Sequence, residues 1–203
     1  MSNIFKRKEQ NTQPISERVL LQNKYNSSRN NLLLVVVFSI INVFICIFGG
    51  ETYFLFSAIV PYYIAFVGAM FCGRFSDEFY AEVGLEQSEF WSESFLAIFV
   101  AIAIIIIAIY LVLFIFSKKR VGFLIAALVC FIIDTIALFY LFGIAVDSIV
   151  DYIFHAWVII SLIIGIRAHF KLKNLPQEEE NPANPDEFSD GFGFPEIPAD
   201  DFN

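Results

Sequence analysis

The 203-residue sequence predicts an all-α integral membrane protein: four transmembrane helices in a bundle, with one further helical segment that is broken and either re-entrant or interfacial. Three observations predict it. The chain is 58% hydrophobic and only 17% charged, whereas soluble domains carry about a quarter charged residues. Its apolar residues gather in blocks close to the roughly 20 residues that a helix needs to cross a bilayer. Its basic residues form clusters between those blocks.

Residues 1–31 read as a basic N-terminal segment, and the first span as residues 32–48. About 30 polar residues precede this span and no small-x-small site comes after it, so it reads as an uncleaved anchor rather than a signal peptide. Gly49 and Gly50 end it, and Thr52 is placed to cap the next helix. The next block, 53–72, has Pro61 near its centre, where proline removes a backbone hydrogen bond and clashes with the preceding turn. Its aromatic residues (Tyr53, Phe54, Phe56, Tyr62, Tyr63, Phe66, Phe71) suit the headgroup boundary. The block therefore reads as the broken segment, which needs protein packed around any non-helical backbone. Residues 74–93 form an outer acidic loop. In it Glu78, Glu82, Glu86, Glu89 and Glu93 recur at spacings of three and four, the pattern of one helix face. Phe75, Phe79 and Val83 mark an apolar face. This loop reads as a surface helix with a solvated acidic side, with a cation or basic-partner site as the alternative. Spans at 95–116, 121–146 and 149–166 complete the membrane domain, 32–166. A basic juxtamembrane segment, 167–175, and a disordered acidic tail, 176–203, end the chain.

Positive charge sets the orientation, because Lys and Arg near span ends stay cytoplasmic. Six basic residues precede the first span (Lys6, Arg7, Lys8, Arg18, Lys24, Arg29), three separate the third and fourth blocks (Lys118, Lys119, Arg120), and three come after the last (Arg167, Lys171, Lys173). Placing these clusters on one side makes 12 of the 13 basic residues cytoplasmic, with Arg74 the exception. That demands an even number of crossings before Lys118, so block 53–72 does not cross. Both termini are then cytoplasmic and the localisation is the cell membrane. Five full spans, with the N-terminus outside, are the alternative.

The net charge of −8 describes the tail. Residues 176–203 hold nine acids and no Lys or Arg, and the rest of the chain carries 13 basic and 12 acidic residues, a net of +1. No basic field for nucleic acid exists outside the juxtamembrane clusters. Phe188, Phe192, Phe194 and Phe202 lie among the tail acids. A solvating tail is the plain reading, and docking of these rings on a cytosolic protein partner is the alternative. No Walker, HExxH or GxSxG pattern occurs. His155 and His169 lie apart, with no convergent ligands for zinc. The expectation is neither enzyme nor cofactor. The lipid bilayer is the surrounding partner, and homo-oligomerisation is left open.

Asp134 is the ionisable residue deep in a span, roughly 20 Å along the helix from Val121. Such a group costs at least about 2.5 kcal/mol at a bilayer centre, so it faces the bundle interior and is a functional candidate. Asn42 lies at a matching depth, and an Asn42–Asp134 hydrogen bond with Asp134 protonated needs no counter-ion. Structural glue is the plain reading and a proton or ion site the alternative. Asp147 and Asp151 read as solvated residues of a short turn, with Asp151 at headgroup level.

The stretch Glu51-Thr-Tyr-Phe-Leu-Phe-Ser-Ala-Ile-Val-Pro-Tyr-Tyr63, with the ending Phe170-Lys-Leu-Lys-Asn-Leu-Pro176, resembles a group of small multi-pass membrane proteins of anaerobic Gram-positive, clostridial-type bacteria. The resemblance covers roughly residues 20–176. It implies a membrane address and no residue roles, because the group has no assigned activity. The functional expectation is a non-enzymatic interaction or accessory module of the cell membrane. A small transporter or channel subunit, with Asp134 as the coupling carboxylate, is the alternative.

Overall fold

The computed structural model describes residues 16–86, 89–144 and 148–176. Among these the chain forms helices and no strands: α1 (Glu17–Ile47), α2 (Ile59–Phe71), α3 (Asp77–Val83), α4 (Glu93–Ser117), α5 (Val121–Phe142) and α6 (Ile149–Asn174). Four of them, α1, α4, α5 and α6, are long and apolar enough to cross a membrane, and α2 with 13 residues is the short apolar one.

The four long helices alternate in direction. Arg18 of α1 donates to the carbonyls of Leu175 and Pro176, where α6 ends, and Tyr25 donates to the Ser117 carbonyl, where α4 ends. Arg29 joins that junction by donating to Ser117 Oγ at 2.9 Å. These contacts define a basic end, which also holds the 118–120 turn. At the opposite, loop end lie the C-termini of α1 and α5, the N-termini of α4 and α6, and the helices α2 and α3. Trp91, just before α4, donates its N–H to the Phe71 carbonyl and stacks on the Phe71 ring at 4.6 Å between centroids. The chain thus leaves α1 and enters α4 at the same end.

Packing is one-sided, as expected of helices whose other faces meet lipid. In α4 the buried positions are Leu96, Ala103, Ile107, Tyr110 and Ser117, while Ile98, Ile102, Ile104, Ile105 and Ile109 are exposed. Apolar surface of that extent is foreign to a soluble monomer. Gly68 lets α2 lie close against α4, because a Cβ there would overlap Phe99.

Several boundaries differ from those expected. The helix of the first span begins at Glu17, so residues 17–31 belong to it rather than to a separate basic segment. Leu21, Tyr25 and Ser28 bury one face of that extension, and packing overrides its polar composition. The last helix likewise runs to Asn174, through the segment assigned as juxtamembrane. Pro61 does not break a helix at its centre. It sits in the first turn of α2, where a missing N–H disrupts no intrahelical bond, and 53–58 precede the helix as non-helical chain. The five glutamates do not share one helix. α3 ends at Gly84, which takes the left-handed cap conformation at φ 72°. Glu86 and Glu89 lie beyond it in non-α-helical chain, and Glu93 starts α4, where it pairs with Arg74 at 2.8 Å. The tail with Phe188, Phe192, Phe194 and Phe202, and Asp147, lie outside the described residues.

Candidate functional site

The site is the start of α2, held inside the bundle. A helix leaves its first four backbone N–H groups without intrahelical partners. In α2 these belong to Ala58, Ile59, Val60 and Pro61, and proline has none. No local side chain caps the others. Ser39 Oγ of α1 accepts from Ala58 N–H at 2.9 Å, while its own hydroxyl donates back to the Val35 carbonyl. The two oxygens of Asp134, from α5, accept from Ile59 N–H and Val60 N–H, each at 2.9 Å. Two other helices therefore supply the cap that the sequence around residue 58 lacks. Thr52, expected as the cap, lies several residues too early. An anion at a helix N-terminus also gains from the aligned peptide dipoles.

Asp134 is 2% exposed, and its third partner is His155 of α6, also 2% exposed, with Nε2 at 3.3 Å from Oδ2. The other ring nitrogen, Nδ1, lies 2.9 Å from the Asp151 carbonyl. A carbonyl oxygen only accepts, so Nδ1 carries a hydrogen there. The Nε2–Oδ2 contact then needs one proton, held either by the ring or by the carboxyl group. The pair is net neutral in both cases, which removes the need for Lys or Arg at this depth. Phe131 stacks on the imidazole at 5.0 Å and fixes its plane. Beside the pair, Asp134, Tyr110, Cys130 and Val60 help line a groove of about 160 Å³.

The segment leading into α2 is bound just as closely. Asn42 clasps it from α1: its Nδ2 donates to the Phe54 carbonyl and to Ser57 Oγ, and its Oδ1 accepts from Phe54 N–H at 2.7 Å. Tyr53 donates its hydroxyl to Asp151 Oδ2 and stacks on Tyr62. Burial, and then the Asp151 carboxylate, push the Tyr53 hydroxyl above its ordinary range and keep it a donor.

Asn42 and Asp134 are thus both interior, at 0% and 2% exposure, but they are not each other's partners. Counting residues gives depth along a helix and says nothing of direction around it; the two face the same segment from different helices. Asp151, expected in a solvated turn, is 3% exposed. Ser39, Tyr53, Asp151 and His155 are the site residues that sequence reasoning misses. Their signal is present in the spacings Ser39–Asn42 and Asp151–His155, at i+3 and i+4, which put each pair on one helix face. Gly49 does end α1, at φ 76°, and Gly50 comes next with its N–H on the Ile45 carbonyl. Among the described residues no three His, Cys, Asp or Glu side chains gather as metal ligands would.

Fold and site together define a helical bundle with four potential membrane spans, built around a short helix with an internal start. No family model, curated protein or solved structure matches this chain.

Proposed function

We propose that the protein is a non-enzymatic, multi-pass module of a bacterial cell membrane that serves assembly with other proteins, with its basic end cytoplasmic. In this reading the chain from residue 48 to residue 72 dips into the outer leaflet as a re-entrant segment and returns without crossing. One observation carries it: Ser39, Asn42, Asp134 and Asp151 all direct their polar atoms onto 53–60. Buried polar groups used in this way rigidify a scaffold. Impermeant maleimide tests the placement, with cysteine at Asn23 or Glu82 in a cysteine-free background. The two positions are expected to label from opposite faces, and labelling from the same face would favour five crossings.

A second reading has its own observation, the buried contact between Asp134 and His155 beside an open groove. It makes the protein a small transporter or channel subunit, since buried carboxylates and broken helices mark such sites. Proteoliposomes loaded with a pH-sensitive dye separate the two. The module reading expects no proton or cation flux above that of empty vesicles. Flux that disappears in Asp134→Asn would establish the second reading instead.

A further inference from the structure

Along the seam of α1 and α6, which touch at Ser28 and Gly165, a surface groove of about 250 Å³ runs inward from Lys24 and has no role in holding α2. Its α1 wall includes Lys24, Ser27 and Asn31, spaced i, i+3 and i+7, and its α6 wall includes Ile160, Ser161 and Ile164. We infer that this groove binds one anionic phospholipid, with the headgroup phosphate on Lys24 and the ester region against Ser27, Asn31 and Ser161. The inference rests on the bilayer placement of the four long helices and is independent of the choice between module and transporter.

Three features of the groove fit that ligand. First, the levels match. Lys24 adjoins Tyr25, which bonds the carbonyl where α4 ends, so its place on α1 is near the height where the chain turns through 118–120. Asn31 is roughly 10 Å deeper along the helix, at the edge of the hydrocarbon just beneath a lipid's ester groups. Second, the wall stays polar where its surroundings are apolar. Ser27 is exposed and Asn31 and Ser161 are half-buried. Asn31 Nδ2 donates to Ser161 Oγ, which leaves an amide N–H, the Asn31 oxygen and the Ser161 hydroxyl hydrogen for an occupant. Polar groups facing hydrocarbon without partners are unfavourable, whereas ester and glycerol oxygens satisfy them and acyl chains cover Ile160 and Ile164. Third, the charge has one sign. The α6 stripe through Ile160 and Ile164 continues to Lys171 at helical spacing, and Glu17 is the one acid on α1 or α6 at this end among the described residues. A second copy seated here would oppose its own Lys24 and Lys171 to these. Basic pockets between helix ends are suited to anionic headgroups.

Full-length protein in neutral detergent, mixed with equal amounts of phosphatidylglycerol and phosphatidylcholine bearing the same acyl chains, tests the assignment by native mass spectrometry. Phosphatidylglycerol should be retained about five-fold over phosphatidylcholine, the factor that about 1 kcal/mol per juxtamembrane cation represents. Lys24→Gln should bring the ratio close to one, and Lys119→Gln, away from the groove, should leave it unchanged. Ser27→Ile, which narrows the groove without touching charge, should lower retention of both lipids. Equal retention by the wild type would overturn the inference whether or not any variant folds, and so would a preference that survives both groove variants. Full displacement of phosphatidylglycerol by millimolar inorganic phosphate would reduce the site to a bare anion contact. A dimer that Ser27→Ile abolishes would assign the groove to a second copy.

Discussion

The two ends of the bundle differ in how many of their polar contacts are shut away from water. At the loop end, Ser39, Asn42, Asp134, Asp151 and His155 are at most 3% exposed and bond one another or the segment entering α2. At the basic end, Arg18, Arg29 and Tyr25 reach from α1 to the carbonyls that close α4 and α6; the Tyr25 bond is buried, whereas Arg18 is half-buried and its bond to Pro176 is exposed. The contrast teaches which hydrogen bonds matter. Where water is excluded, an orphaned partner has no substitute and its loss is felt in full; where water is near, it replaces the lost partner.

The comparison can be broken by substitution, with unfolding followed in mixed micelles. The largest effect belongs to Asp134→Leu, which strands two amide donors and an imidazole. A loss of about 4 kcal/mol is expected, with fast hydrogen exchange at Ile59 and Val60. Asp134→Asn keeps one acceptor and should lose about 1–2 kcal/mol. If Asp134→Leu proves no worse than a surface change, the internal cap is not what holds α2. Asn42→Leu removes three bonds to residues 54 and 57 and should cost about 2 kcal/mol.

Tyr53→Phe sharpens the comparison at its edge, where one hydroxyl is lost and about 1 kcal/mol with it. Its pH dependence has a defined sign. The folded state holds the Tyr53 proton more tightly than the unfolded chain, so this stabilisation is complete below the ordinary tyrosine value near 10. It is lost as pH rises above that value toward the folded one. Wild-type stability should therefore fall more steeply above about pH 10 than that of Tyr53→Phe. The smallest effect is Arg18→Gln at the basic end, expected within about 0.5 kcal/mol of wild type because water replaces its exposed contacts.

The spans were legible because hydropathy is a local sum: α4 and α5 begin and, for α4, end within two residues of where the apolar blocks place them. The count of four long helices was legible too, through the parity of basic clusters. The 17–31 half of α1 was not, since its helicity is supported by Tyr25 docking on the distant Ser117 and His169. The same holds for the role of Pro61. A proline inside an apolar run reads as a break, and only the position of the first helical turn shows it to be at home.

The sequence by itself determined which segments are apolar, where charge accumulates, and that Asp134 and Asn42 are interior. Tertiary structure alone decided their partners. A buried polar side chain must be satisfied by whatever lies within about 3 Å, and that neighbour is chosen by rotation about a helix axis and by chain returning from elsewhere. The cap of α2 comes from residues 39 and 134, far from residue 59 along the chain, so no local pattern around the helix start could announce it.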